Sequence, residues 1–234
     1  MEFGTARVAG RRLAVYNRHV LKTWTFIIKI FLIYLALSVG CFLMLRIILE
    51  YTSFKDNVQF LAYKQAYVHD PIWRAAFYMH VFSAIVALLA GFTQFSGDFL
   101  KNHKKLHRLF GKIYIWDILA VNVPAGMVLA ICANGMLPGR IAFVLLDSLW
   151  FWFTYRALRS ALNKDFTNHK NYMIRSYALT FSAVTLRTWR LILSTAFTID
   201  PVYLYMIDAW MGFVPNLLVS EYIIRARKIQ NVTY

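Results

Sequence analysis

The chain has few acidic residues and few cysteines. Its 234 residues include 11 Asp and Glu against 26 Lys and Arg, and only two cysteines. Cys41 and Cys132 both fall in apolar runs, which excludes an exposed structural disulfide and a cysteine-rich metal site. The sequence also lacks a glycine-rich phosphate loop, a nucleophile motif and a paired-carboxylate signature. The catalytic types that are common in soluble enzymes are therefore not expected.

Long apolar runs dominate what is present. Hydrophobic residues make up 59% of the chain and charged residues 16%, too apolar for a water-soluble domain of this length. Six runs approach the roughly 20 residues that an α-helix needs to cross a bilayer. They cover residues 25–49, 75–97, 109–133, 140–158, 172–193 and 203–224. The sequence therefore predicts an all-α integral membrane protein, a six-span helical bundle.

Basic residues flank these runs on alternate sides. They concentrate before the first run, between the second and third, between the fourth and fifth, and after the sixth. The other links are close to neutral, so the positive-inside rule places both termini in the cytoplasm. Topology and anionic lipid headgroups then account for the net charge of +15. The lipid bilayer is the expected partner, and nucleic acid is not.

Little of the chain lies outside the spans. Residues 1–24 form a basic leader, which is predicted to be an amphipathic helix on the cytoplasmic surface. Residues 25–224 form the predicted transmembrane domain, and residues 225–234 form a basic cytoplasmic tail. The first apolar run exceeds the roughly 7–15 residues of a signal peptide, so it is expected to be retained. Residues 51–73, the lid link, are rich in aromatics and are a candidate lid over the outer mouth of the bundle.

Polar side chains inside the predicted spans form two layers, as estimated from a helical rise of about 1.5 Å per residue. The outer layer comprises His80, Asp147, Arg187, Arg190 and Asp208. The inner layer comprises Gln94, His107, Arg108, Asp117, His169, Arg175, Asn216 and Glu221. Ionisable groups are costly in a membrane, so each layer is a candidate functional site. Buried ion pairs are the structural alternative, namely Arg187 with Asp147 or Asp208, and Arg175 with Glu221.

One hypothesis is electron transfer. His107 and His169 lie at one depth on different helices, which is what axial ligation of a b-type haem iron requires. Arg108 and Arg175 would pair with the haem propionates. His80 and Gln94 complete the candidate cofactor residues, with His80 as a possible quinone ligand. The chain would then be a membrane protein that binds haem b or a quinone and meets a membrane redox partner.

Two other functions stay open. The outer layer would serve a small transporter or an auxiliary membrane subunit, near helices that Pro124 and Pro215 interrupt. A zinc-dependent membrane hydrolase is the other alternative. Its candidate residues are His103, His107 and His169 as ligands, with Asp98 or Asp117 as general base. Assembly as a homo-oligomer, or within a larger membrane complex, is compatible with every alternative.

Three strings open or cover the third, fifth and sixth runs. They are His107-Arg-Leu-Phe-Gly-Lys-Ile-Tyr114, residues 168–187 with Asn168-His-Lys-Asn-Tyr and Thr185-Leu-Arg187, and residues 210–221 with Trp210-Met-Gly-Phe-Val-Pro-Asn. Together with His80 and residues 91–95, these strings resemble a bacterial family of predicted membrane proteins, domain-of-unknown-function family 2306. The resemblance runs from about His80 to Glu221 and implies a multi-span helical bundle in the cytoplasmic membrane.

That resemblance directs attention to residues of both layers. They are His80, Gln94, His107, Arg108, His169, Arg175, Arg187, Asn216 and Glu221. A looser likeness to transmembrane b-type cytochromes rests on the helical bundle, the basic cytoplasmic links and the histidine that opens the third run. Two bis-histidine haems need four histidines, and the outer layer offers only His80. The likeness therefore implies at most one bis-histidine pair, His107 with His169.

Overall fold

The structure is a computed structural model that describes residues 38–92, 94–95 and 97–232, with residues 24, 25, 28, 31 and 35. The chain divides into two compact units, Met1–Leu43 and Met44–Tyr234. The described residues of the first unit are helical, and large apolar side chains such as Phe31 and Phe42 are exposed, as expected in lipid. The predicted leader, residues 1–24, lies outside the described residues except for Trp24.

All regular structure in the described residues is helical, as predicted. Residues 38–50 form helix α1, and short 3₁₀ turns follow at Tyr51–Ser53 and Gln59–Tyr63. The other helices are α2 (Pro71–Phe92), α3 (Gly97–Asn102), α4 (Lys104–Trp116), α5 (Val123–Ile131), α6 (Met136–Leu162), α7 (Phe166–Thr180), α8 (Ser182–Ala196), α9 (Pro201–Met211) and α10 (Val214–Val232). A π-helical turn, Asp117–Asn122, joins α4 to α5.

Four stretches of the described chain are long and apolar enough to cross a membrane. They are Pro71–Gly91, Lys104–Ile131, Met136–Leu162 and Pro201–Lys228, and they coincide with the predicted second, third, fourth and sixth spans. The predicted fifth span is instead two 15-residue helices, α7 and α8, which meet at Phe181. The first predicted span is only partly described. The protein is therefore an all-helical membrane protein with several membrane-spanning helices.

Prolines interrupt two of these stretches, as the sequence predicts. Pro124 has no backbone N–H, and its ring would clash with the carbonyl four residues earlier in a regular helix. The preceding turn, Asp117–Asn122, accommodates the ring by widening to a π-helix. Pro215 is the second residue of α10, and α9 ends four residues before it at Met211. Irregular backbone therefore occurs within the third and sixth predicted spans.

Asn216 satisfies the backbone at two helix breaks, the one between α7 and α8 and the one between α9 and α10. Its Nδ2 donates to the Ala178 carbonyl in the last turn of α7 and to the Gly212 carbonyl just after α9, each at 3.1 Å. The Thr185 hydroxyl of α8 lies 2.9 Å from the same nitrogen. An unpaired carbonyl is costly where no water is available, so this single amide stabilises both helix breaks.

A second polar cluster lies in the core. The Tyr114 hydroxyl of α4 is 2.8 Å from Ser176 Oγ and 2.7 Å from Thr180 Oγ1, both on α7. From α6, Trp150 Nε1 donates to Thr180 at 3.2 Å and Thr154 Oγ1 lies 2.7 Å from Ser176 Oγ. All five side chains are buried. Because each hydroxyl has a partner, the network fixes the register of three helices in an apolar surrounding.

Replacing Asn216 by leucine is expected to destabilise the fold by about 2 kcal/mol, because two partly buried carbonyls lose a donor. Thermal unfolding of the detergent-purified protein measures the effect. The matched control is Thr188→Val, a polar-to-apolar change at an exposed position of α8, which should cost less than about 0.5 kcal/mol. Equal stability of the two variants would contradict the bridging role of Asn216.

Candidate functional site

A cavity of about 590 Å³ lies between the lid link and helices α2, α5, α6, α8 and α9. We call it the outer-layer cavity, since every residue of the predicted outer layer lines it: His80, Asp147, Arg187, Arg190 and Asp208. These residues come from α2, α6, α8 and α9, so the fold brings together what depth alone had grouped. Apolar side chains such as Phe77, Leu129 and Leu186 form most of the remaining wall. This size and lining are typical of small-molecule sites.

Arg190, rather than Arg187, forms the ion pair in this cavity. Its Nε donates to Asp208 Oδ2 at 2.8 Å, and its guanidinium lies 5.1 Å from the centroid of the Tyr205 ring. Asp208 is only 1% exposed, and its Oδ1 has no partner among the described residues. Of the two partners offered for Arg187, Asp208 is instead bound by Arg190, which lies one helical turn further along the same helix.

Arg187 has no carboxylate within ion-pair distance in the described part of the chain. One of its nitrogens, Nη1, donates to the Ala183 carbonyl at 2.8 Å. The residue is exposed, lines the cavity, and interacts electrostatically with His80 and Tyr51. A guanidinium carries five N–H donors, so most of the binding capacity of Arg187 is left for a ligand.

His80 is held by the π-helical turn. Its Nδ1 is 3.1 Å from the carbonyl of Asn122, the last residue of that turn. A carbonyl can only accept a hydrogen bond, so Nδ1 carries the proton of the neutral ring and Nε2 can accept. The widened turn, a consequence of Pro124, thus fixes the tautomer of a cavity residue.

Asp147 is buried at 3% exposure in the cavity wall and has no hydrogen-bond partner among the described residues. Its carboxyl group packs against Gly126 of α5, where a Cβ atom would lie 2.7 Å from Asp147 Oδ2. Burying an unpaired carboxylate costs free energy, so Asp147 either carries a proton or pairs with a bound ligand. Gly126 is required for space, since any side chain would displace the carboxyl group.

Lys64 attaches the lid link to the rest of the bundle. Its Nζ donates to the Cys132 carbonyl at 2.5 Å and to Asn134 Oδ1 at 2.7 Å, both between α5 and α6. Burial lowers the pKa of Lys64 below the usual value for lysine. Lys64 is not among the residues that the sequence patterns indicated. The available signal was a lysine between Phe60 and Tyr67, whose rings lie 5.5 and 5.4 Å from Nζ.

The inner-layer residues do not form one site. Arg175 binds Glu221 through two contacts, Nε to Oε1 and a second at 3.0 Å to Oε2, which is the ion pair the sequence offered as the structural alternative. Asp117 accepts from Asn122 at 3.0 Å within the π-helical turn. Gln94 Nε2 donates to the His107 carbonyl at 3.3 Å. Asn216 bridges the helix breaks, and Arg108 is exposed.

His107 and His169 lie close enough to interact electrostatically. His169 Nδ1 is 2.9 Å from the Ala157 carbonyl, and His107 Nδ1 is buried without a partner in the described chain. A haem would need a slot lined by both imidazoles. Neither histidine lines the outer-layer cavity or a second cavity of about 580 Å³ between α7 and α10. Arg175 is also engaged by Glu221, and haem ligation by His107 and His169 stays a prediction.

The zinc alternative needs three ligands at one point. Among the described residues no group of three or more His, Cys, Asp or Glu side chains could hold a metal ion. His103, His107 and His169 therefore do not form such a group. Asp98, one candidate base, has a side chain outside the described set, and Asp117 is engaged in the π-helical turn.

Gly126→Ala is expected to lower stability by about 1–3 kcal/mol, because the new methyl group overlaps the Asp147 carboxyl group. In an Asp147→Ala background the cost of Gly126→Ala should disappear. Alanine at position 126 should then be neutral or stabilise the protein by about 0.5–1 kcal/mol, the usual gain over glycine in a helix. Thermal unfolding of the four proteins in this double-mutant cycle tests the contact. The same cost in both backgrounds would show that Gly126 does not pack on Asp147.

Comparison with known proteins agrees with this architecture. Residues 77–224, more than half of the chain, match the family described as predicted membrane protein (DUF2306). The match covers the motifs of the third, fifth and sixth runs. No curated protein and no solved structure matches the chain, and the likeness to b-type cytochromes is not shown by any match. The chain belongs to the DUF2306 family of predicted membrane proteins.

Proposed function

We propose that this protein is a small membrane transporter, or an auxiliary membrane subunit, that binds a small molecule in the outer-layer cavity. The ligand class is an apolar body with one anionic head. The observation that carries the proposal is Arg187, a cation that lines a largely apolar cavity without a carboxylate partner among the described residues. A planar guanidinium binds carboxylate and phosphate groups through paired hydrogen bonds.

The charges in the cavity wall support an anionic head. Arg190 and Asp208 neutralise each other, and Lys64 donates hydrogen bonds to two oxygens of the link between α5 and α6. Asp147 and Arg187 remain, on α6 and α8. An anionic head at Arg187 would supply the missing countercharge there, and the apolar wall would cover the rest of the ligand.

Interrupted helices support a transport role. Ser182 and Ala183, the first residues of α8, line the cavity just after the break at Phe181. The π-helical turn contributes through His80, whose ring rests on the Asn122 carbonyl. In membrane proteins, irregular backbone at membrane depth occurs where it is buried in protein or lines a cavity, and discontinuous helices with N-termini directed at anions are typical of transporters.

A quinol is the second candidate ligand, and His80 favours it. The neutral ring offers Nε2 as an acceptor for a hydroxyl group, and Arg187 can donate to the oxygen at the other end of the ring. This arrangement would make the protein a quinone-interacting partner in membrane electron transfer. It uses the same cavity, so one binding experiment separates the two ligand classes.

Binding of dodecanoate to the protein in nanodiscs should weaken about 10- to 100-fold in Arg187→Gln, the usual loss for charge-assisted hydrogen bonds. Titration calorimetry measures the change. Arg46→Gln is the matched control, because Arg46 is an exposed cation on α1 that does not line the cavity. Equal affinity in wild type and Arg187→Gln contradicts the anionic-head proposal. Binding of a short-chain quinol but not of dodecanoate would favour the second candidate.

The proposed setting is a six-span bundle in a bacterial inner membrane, with both termini in the cytoplasm. A cysteine introduced at Lys55, in the lid link, should then react with a membrane-impermeant thiol reagent in intact cells. A cysteine at Asn163, between α6 and α7, should react only after the cells are opened. Both positions are exposed, so the reverse labelling pattern would overturn the proposed orientation.

A further inference from the structure

A second cavity follows the interface between α7 and α10. It has a volume of about 580 Å³, and successive helical turns of each helix line it. Lys170 and Ile174 come from α7, and Asn216, Val219, Ile223 and Arg227 come from α10. We call this feature the α7–α10 groove. Eleven residues separate Asn216 from Arg227, so its length is roughly 16 Å at the helical rise.

The two ends of the groove differ in chemistry. Asn216 and Ala178 lie at one end, where the side-chain amide of Asn216 donates to the Ala178 carbonyl. Lys170 and Arg227 lie at the other end and interact electrostatically with each other. Between the ends the wall is mainly apolar, with Ile174, Val219 and Ile223 as its largest aliphatic side chains. The groove is therefore an apolar channel with a cationic end.

The cationic end has no countercharge in the described chain. Neither Lys170 nor Arg227 is within ion-pair distance of a described carboxylate. Glu221, on the same helix as Arg227, is bound to Arg175. Arg227 Nη1 is shielded from water and has no hydrogen-bond partner among the described residues. A buried guanidinium N–H without an acceptor is rare and costly. Lys170 is exposed and Arg227 half-buried, so this end of the groove is a cationic site that an anion would neutralise.

We propose that the α7–α10 groove binds an anionic phospholipid, with one acyl chain along the apolar wall and the phosphate on Lys170 and Arg227. The phosphate oxygens would accept from Arg227 Nη1 and neutralise both cations. The exposed flank of the groove, where Val219 is 57% and Ile223 42% exposed, gives a chain access from the bilayer. On the proposed topology this lipid belongs to the cytoplasmic leaflet, which carries the anionic headgroups.

The test is native mass spectrometry of the full chain, released from mixed micelles that contain phosphatidylglycerol or phosphatidylcholine with identical chains. We expect one retained phosphatidylglycerol per chain and little phosphatidylcholine. In Lys170→Gln/Arg227→Gln the affinity for phosphatidylglycerol should fall about 25-fold, since each cation near an anionic surface contributes about fivefold. No preference for the anionic lipid in the wild type would overturn the proposal.

A matched control removes the same amount of charge close to the groove, with both changes on α10. Arg225 and Lys228 are exposed on α10 and do not line the groove. Arg225→Gln/Lys228→Gln should keep wild-type lipid binding. An equal loss of affinity in both double variants would show that lipid binding depends on general surface charge and would overturn the proposed site. Millimolar inorganic phosphate should not displace the lipid, and displacement would show a phosphate site without a chain groove.

A third variant tests the apolar wall without changing charge. Val219→Trp places a large side chain at an exposed, lipid-accessible position, so it is expected to fold while filling the groove. We expect loss of retained phosphatidylglycerol with both cations intact. Unchanged binding in this variant would contradict the position of the acyl chain. Dodecanoate binding in the outer-layer cavity should be unaffected by all of these variants, so failure here is distinguishable from failure of the proposed function.

Discussion

The structure depends on satisfying backbone polar groups where helices are interrupted inside a membrane. A regular helix pairs its own carbonyls, but a break leaves acceptors that lipid cannot bind. Asn216 resolves this at two breaks by donating to the carbonyls of Ala178 and Gly212. His80 does the same for the Asn122 carbonyl beside the π-helical turn. Four helices, α7 to α10, thus meet at one amide, and a titratable ring of α2 is tied to the third predicted span.

These interruptions also explain where the cavities lie. The break at Phe181 separates α7 from α8, and each of these helices then lines a different cavity: α8 the outer-layer cavity, α7 the α7–α10 groove. Asn216, which joins the two breaks, itself lines the groove. Both cavities are largely apolar, and each contains a cation that no described carboxylate neutralises, Arg187 in one and Arg227 in the other. Unpaired cations in apolar walls are the shared chemical property of the two sites.

The sequence was enough to predict which polar residues lie at the same depth. Which of their side chains pair with each other depends on the rotation of each helix about its axis, which the sequence does not show. Depth along each apolar run was enough to group His80, Asp147, Arg187, Arg190 and Asp208, which line one cavity. Depth cannot say which side chain faces which neighbour, so Arg187 was a candidate partner for Asp147 or Asp208, whereas the structure pairs Asp208 with Arg190. The same limitation applies to His107 and His169, which share a level but line neither cavity. Lys64 escaped notice because its role depends on a contact 68 residues away along the chain.

The most direct test of the central claim, that the outer-layer cavity is a ligand site built around Arg187, is an experimental map of the protein. Electron cryomicroscopy of the nanodisc-embedded chain, prepared with dodecanoate, would show both the cavity and its contents. The account predicts elongated density in the cavity, with its head in contact with the Arg187 guanidinium and its tail against Phe77 and Leu186. A cavity closed by side chains, with Arg187 paired to Asp147, would contradict it.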